Sequence, residues 1–138
     1  MNIQSSFQFI DYLIEKSNIE ISDPDIGRDM KFGIEPYGEF DKDNHIFTLS
    51  LEVAIKDGEG KFIVSFLIKG LFEYKCSNFN ELLNFIGINA PAILFPYIRA
   101  YVSNITGLSG MQPVIMPTLN MQPIGKQLVE KLKNNSEV

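Results

Sequence analysis

The chain of 138 residues holds one histidine and one cysteine, so any nucleophilic or metal chemistry rests on His45, Cys76 and the carboxylates. Zinc takes four ligands drawn mostly from Cys and His, and no second residue of either type exists to join these two. His45 lies in the turn sequence Asp43-Asn44-His45 and reads as a solvated turn residue. Cys76 has neither a histidine nor a helix start beside it to lower its thiol pKa, and reads as inert. Asp23, Asp25, Asp41 and Asp43 fall in turn-rich stretches where solvation accounts for them, and their spacing marks no acid–base pair. Asp41-Lys42-Asp43-Asn44 imitates the start of a calcium loop, but the glycine and bidentate glutamate that must follow are missing. Asn104-Ile105-Thr106 and Asn134-Asn135-Ser136 match the glycosylation pattern by chance. These residues predict no enzyme, no metal and no cofactor.

Adaptable apolar surface is abundant instead. Met111, Met116 and Met121 are interleaved with Val114, Ile115, Leu119 and Ile124. Methionine is flexible and polarisable, so a groove lined with it accommodates varied side chains. Pro113 and Pro117 keep this arm extended and reduce the order it must lose on binding. A single methionine more often fills a gap in a core. The cluster, in a segment too rich in proline to pair in a sheet, predicts a groove. Phe66, Phe72 and Tyr74 supply its other wall. The candidate groove is therefore Phe66, Phe72, Tyr74, Met111, Val114, Met116, Leu119, Met121 and Ile124.

Strands and helices must position these residues. Phe47, Leu49, Leu51, Val53 and Ile55 alternate strictly with Thr48, Ser50, Glu52 and Ala54, the period of a half-buried antiparallel strand. The Asp57-Gly58 pair suits a hairpin turn. From Lys61 to about Tyr74 the next strand is apolar on both faces, with Phe62, Val64, Phe66 and Ile68 on one and Ile63, Leu67 and Leu71 on the other. Such a strand needs cover on both sides, from helices, a second chain or a ligand. Met30 to Tyr37 forms a further strand whose Pro36 places it at an edge or bulge. The N-terminal segment suits a helix through Phe9, Ile10, Leu13 and Ile14, and equally a strand burying Ile14, Ile19 and Ile21. Asn78 or Asn80 caps a short helix that stops at Gly87, and Asn89 caps a longer one with Pro91 in its first turn. Pro96 bends that helix near its start, and Gly107 or Gly110 ends it. Leu94, Ile98, Tyr101, Ile105 and Leu108 give it one apolar stripe, and Leu94, Ile98, Tyr101 and Ile105 are expected at an oligomer interface. A last helix runs from Pro123 to Lys133, with Ile124, Leu128 and Leu132 on one face and residues 134–138 as a disordered tail. Strands first and helices last predict one α+β domain over residues 1–138.

Composition narrows the function classes. Apolar residues make up 45% and charged ones 21%, ordinary for a globular chain. No uncharged run reads as a membrane span, since prolines interrupt the longest, and the first residues lack the layout of a signal peptide. A single cysteine fits the reducing cytoplasm. A net charge of −5 with no basic run argues against nucleic acid.

Residues 89 to 119 carry four of the seven prolines, and Arg99 is their only ionised side chain. Pro91, Leu94, Phe95, Pro96, Tyr97 and Arg99, followed by Gly107, Gly110, Pro113, Pro117 and Asn120, resemble the signature segment of the SecB family of protein-export chaperones. Gly70-Leu71-Phe72 is similar to that family's Gly-Ile-Phe, and the order of elements is similar along nearly the whole chain. The resemblance implies an N-terminal strand and a four-stranded antiparallel sheet with C-terminal helices packed on one side. It implies a homotetramer built as a dimer of dimers through the long helices. It further implies ATP-independent binding of unfolded preproteins in apolar grooves, with no nucleic acid and no direct membrane insertion. The SecA translocation motor follows as a partner less firmly, because the chain ends KLKNNSEV without the family's acidic extension. Two alternatives stand beside the export role: a dedicated chaperone of one antitoxin, and a binder of small apolar molecules.

Overall fold

The computed structural model describes residues 7–136 apart from Arg28 and Ser77; residues 1–6, 137 and 138 lie outside the described residues. Four strands, β1 (Phe7–Ile21), β2 (Met30–Asp41), β3 (Ile46–Asp57) and β4 (Phe62–Tyr74), precede two helices, α1 (Phe79–Leu108) and α2 (Gln122–Ser136). The strands form one antiparallel sheet in the order β1-β4-β3-β2. The alternation in β3 sets its faces: Phe47, Leu49, Leu51, Val53 and Ile55 are buried, while Glu52 and Ala54 are exposed. Phe62, Val64, Phe66, Ile68 and Phe72 of β4 share that buried face, with Phe47 opposite Phe72 and Val53 opposite Phe66. β2 is an edge strand, so Pro36 can sit there without breaking a ladder on both sides.

Because β1 pairs with β4, the chain must cross between opposite edges of the sheet to reach β2. The crossover, residues 22–29, is tied to the β3–β4 turn. The Ser22 N–H donates to the Lys61 carbonyl at 2.8 Å, and the Gly58 N–H donates to the Asp29 carbonyl at 3.0 Å. Lys61 Nζ reaches Glu59 at 2.9 Å and Asp23 at 3.8 Å; its pKa is raised, by Glu59 first. β1 resolves the N-terminal ambiguity as a strand, but a strand shifted in register after Phe9 and again after Ile14. Each shift flips the side-chain parity. Phe7, Phe9, Tyr12, Ile14, Ser17, Ile19 and Ile21 thus pair with helix-facing positions of β4.

The two helices expected between residues 78 and 108 are one. Asn78 caps it, its side chain accepting from the Asn80 and Glu81 N–H groups, and the helix continues through Gly87, Pro91 and Pro96. Leu82, Leu83, Ile86, Ala90, Leu94, Ile98, Val102 and Thr106 are buried along its length, and this packing offsets the helix-breaking tendency of the prolines. Leu94 seats on Gly70 of β4, where an added Cβ would lie 2.8 Å from its Cδ2. The merged helix is long and apolar enough to cross a membrane, contrary to the expectation from the sequence, although its buried stripe is that of a core helix. α2 packs against both α1 and β2, and it continues to Ser136, past the expected start of a disordered tail. Gly87 does not stop a helix; it receives Gly125 of α2, whose added Cβ would lie 1.8 Å from the Gly87 carbonyl oxygen. Pro91 has no N–H to offer that carbonyl, so the close approach of the Gly125 Cα supplies a weak C–H donor in its place.

Candidate functional site

The arm between the helices begins with a tight turn. The Met111 N–H donates to the Thr106 carbonyl and the Gly110 N–H to the Gly107 carbonyl, both at 3.2 Å, with Gly110 at φ 93°. This is a Schellman end, and it needs the left-handed conformation glycine adopts freely. The arm then folds back against α1. Thr106 Oγ1 accepts the Val114 N–H at 2.8 Å while donating to the Val102 carbonyl at 2.7 Å, and Ser103 Oγ donates to the Val114 carbonyl at 3.1 Å. Pro113 packs on Gly107.

The arm holds its predicted groove residues against the core rather than open to solvent. Met111, Val114, Met116 and Met121 are buried, with Met116 wholly so; Leu119 and Ile124 are half-buried. The opposite side of the same segment is open: Ile115 is 69% exposed, and Leu108 at the end of α1 is 89% exposed. The expected aromatic wall is also interior. Phe72 is fully buried, stacked on Phe7 at 4.8 Å between centroids and touching Phe9 at 5.4 Å. Phe66 lies edge-on to Tyr101 at 4.9 Å, and Tyr74 packs against Phe40. Burial raises the Tyr74 hydroxyl pKa, with the Asp41 charge adding to it. The structure thus brings the nine groove residues together, seven of them within the subunit's core and Leu119 and Ile124 packed against it.

The predicted interface residues divide into two pairs. Leu94 and Ile98 are wholly buried within the subunit and cannot meet a second copy. Tyr101 is half-buried, its hydroxyl donating to Ser17 Oγ at 2.5 Å, and Ile105 is half-buried. The buried stripe continues through Val102 and Thr106 instead of Tyr101 and Ile105. Exposed apolar side chains occur elsewhere: Ile10 and Leu13 on β1, Leu71 on β4, and Phe79, Phe85 and Ile88 on α1. The helical alternative for the N-terminal segment placed Ile10 and Leu13 on an apolar face, and ending a helix at Gly87 hid Ile88. A shallow cleft of about 640 Å³ runs between α1 and α2 beside Ile88 and Val129.

Polar groups tie elements together. Lys131 of α2 donates to Glu35 and to the Pro36 carbonyl of β2 and lies 4.1 Å from the centre of the Tyr37 ring, while Gln127 also donates to Glu35. The Lys131 ammonium holds the Glu35 carboxyl below its usual range. Asp41 accepts from Asn44 through both its backbone and side-chain nitrogens, and these bonds lower its pKa; it is a turn-forming residue. His45 is exposed at positive φ, its ring stacked on Tyr74 at 5.5 Å. The Cys76 thiol donates to the Asn78 carbonyl at 3.2 Å. Among the described residues, no three His, Cys, Asp or Glu side chains converge as a metal site requires.

Comparisons with known proteins place this arrangement. The profile of one family, Preprotein translocase subunit SecB, matches residues 15–131. The Protein-export protein SecB of Magnetococcus marinus is 33% identical over 97 residues, covering 62% of each chain. That of Saccharophagus degradans is 28% identical over 114 residues, covering 80% of this chain and 65% of its own. An uncharacterised protein of Methanocaldococcus jannaschii is 37% identical over 68 residues, covering 49% of this chain and 44% of its own. The chain therefore spans less than two thirds of the length of these curated relatives. Among solved structures, the Mycobacterium tuberculosis Rv1957 SecB-like chaperone, in complex with a ChAD peptide from the Rv1956 HigA1 antitoxin, superposes with a TM-score of 0.72. It is 20% identical, covers 83% of this chain and 91% of its own, and so shares the fold. The sheet order, the crossover, the long proline-bearing helix and the match across residues 15–131 make this chain a member of the SecB family.

Proposed function

We propose that this chain is a non-enzymatic, ATP-independent chaperone that binds non-native polypeptides, secretory precursors among them, and keeps them competent for translocation. Membership of the SecB family over residues 15–131 carries the reading. The arm supports it: an uncharged, methionine-rich segment presents exposed Ile115, and Leu108 is exposed at the end of α1 that leads into it, where an unfolded chain can make first contact. The groove residues at the end of β4 and along the arm lie beneath. We further assign the protein to the cytoplasm, as a dimer of dimers, with SecA as the recipient of its clients.

The test is aggregation of a slow-folding precursor diluted from denaturant, without ATP. Wild type should suppress it at stoichiometric amounts. A Leu108→Asp, Ile115→Asp variant should melt as wild type does and bind the precursor more than about tenfold more weakly, since each buried apolar side chain contributes about 1.5–3 kcal/mol. Equal protection by that variant would misplace the contact surface. A second reading draws on the Mycobacterium tuberculosis relative, which was solved with an antitoxin peptide: here the client is a single antitoxin. Protection of one antitoxin but of no precursor would favour it.

A further inference from the structure

β2 is an edge strand of 12 residues, and its free side offers a second strand a row of main-chain donors and acceptors. Its ladder with β3 runs unbroken from Met30 opposite Asp57 to Asp41 opposite Ile46. In such a ladder every second residue turns both its N–H and its C=O away from the neighbouring strand. The Pro36 carbonyl accepts from Lys131 of α2, so it belongs to the outward set, with Ile34 and Gly38 on either side. Pro36 is therefore closed to a further strand twice over. It has no N–H to offer, and the Lys131 ammonium occupies its carbonyl at 2.8 Å.

The path of Lys131 completes the closure. Ile34 lies opposite buried Val53 on the helix side of the sheet, so its neighbour Glu35, and Tyr37 beyond, point to the other face. A side chain that starts on α2 and ends on Glu35 and over the Tyr37 ring must pass across the edge itself. Gln127 of the same helix donates to Glu35 at 3.1 Å, and Leu132 sits over Gly38. Glu35 also lies opposite Glu52, and like charges directly opposed on a ladder repel. The Lys131 ammonium offsets that repulsion.

We propose that Lys131, seated on Glu35 and on the Pro36 carbonyl, is a lock that keeps the β2 edge from pairing with the β2 edge of a second copy. A strand paired with its own copy is self-complementary, so every copy would bring a matching edge. The middle of β2 falls between Glu35 and Pro36, and in full overlap the blocked positions lie at the centre of the pair. The ladder would be broken into two short ends. This inference is independent of the chaperone reading.

Removing the lock tests it. Pro36→Val restores the donor, and Lys131→Met frees the carbonyl while keeping most of the aliphatic stem. Each regained ladder bond strengthens pairing by up to about tenfold. At micromolar concentration the double variant should show roughly double the light-scattering mass of wild type or more. Hydrogen exchange at its Ile34 and Gly38 amides should slow. Pro36→Val with Lys131→Arg keeps a donor for Glu35 and the carbonyl, and should hold the wild-type mass. A folded double variant with wild-type mass would overturn the lock, as would added mass without slowed exchange at those two amides. If circular dichroism shows that the double variant does not fold, Lys131→Met alone decides. It should gain mass at higher concentration with the same two amides slowed, and an unchanged mass up to its solubility limit would overturn the proposal.

Discussion

Thr106 is the polar residue on which the arm depends. It is fully buried, donates within its own helix and accepts the Val114 amide. Thr106→Val keeps the volume but strands a buried N–H, and should cost about 1–3 kcal/mol in urea unfolding. Met116→Ala, with its side chain wholly buried, should cost about 2–5 kcal/mol by the same measurement. Both residues stood in the sequence as candidates for something else, a chance glycosylation motif and a groove wall. Their types were legible; their burial was not. Nothing in a run of methionines and prolines says whether it faces solvent or folds back, since that depends on one hydroxyl eight residues upstream. His45 and Asp41 were read as turn residues and lie in that turn, because turn chemistry is local. Glu35 shows a long-range effect of the same kind. Lys131 lowers its pKa, so folding favours the charged carboxylate; the resulting stability is present above the ordinary value of 4.5 and lost as the pH falls below it. Acidification through that range should loosen α2 from β2, seen as faster hydrogen exchange in α2, and Glu35→Gln should remove that pH dependence.

Elements were legible where one period held throughout. β3 and β4 keep strict alternation, and their faces follow from it. β1 does not: its helix-facing positions run 7, 9, 12, 14, 17, 19, 21, because two bulges insert extra residues. Steps of two and three imitate a helical period, which is why the segment read equally well as either. α1 failed in the opposite direction. Gly87, Asn89 and Pro91 are ordinary signals for one helix ending and another beginning. Tertiary packing overrides them, since Gly87 is needed as the seat for Gly125 and Pro91 leaves the Gly87 carbonyl open to it. The two glycines should differ in tolerance. Gly125→Ala drives a methyl into a backbone carbonyl and must separate the helices, an overpacking penalty of about 1–3 kcal/mol or more. Gly87→Ala meets the end of the Val129 side chain, which can rotate, and should cost less in the same denaturant titration.

At the scale of the whole molecule, a small sheet covered on one face leaves apolar surface that a lone subunit cannot bury. Two patches stand apart. Leu13, 62% exposed, and Leu71 share the sheet face away from the helices at the β1 edge, with exposed Ile10 at the nearby bulge. Phe85 and Ile88, the latter 63% exposed, lie one helical turn apart on the outer side of α1. Isolated exposed residues need no explanation, but paired patches on two surfaces suit an assembly with two kinds of symmetric contact. The doubly apolar β4 pointed to assembly from the sequence; of the helix stripe chosen for the contact, Leu94 and Ile98 belong to the subunit's own core and Tyr101 and Ile105 are half-buried. The helix-mediated contact should therefore use Ile88 and Phe85. Light scattering should show a tetramer for wild type at micromolar concentration. Ile88→Lys should leave dimers, because an unpaired ammonium buried at a close contact costs several kcal/mol. Leu13→Lys should disrupt the other contact, and both variants should keep the far-ultraviolet circular dichroism of the wild-type fold, since both positions are exposed in the subunit. A wild-type monomer would remove the quaternary assignment altogether. If Ile105→Lys splits the tetramer and Ile88→Lys does not, the contact lies along the half-buried flank of α1 and the outward patch serves another partner.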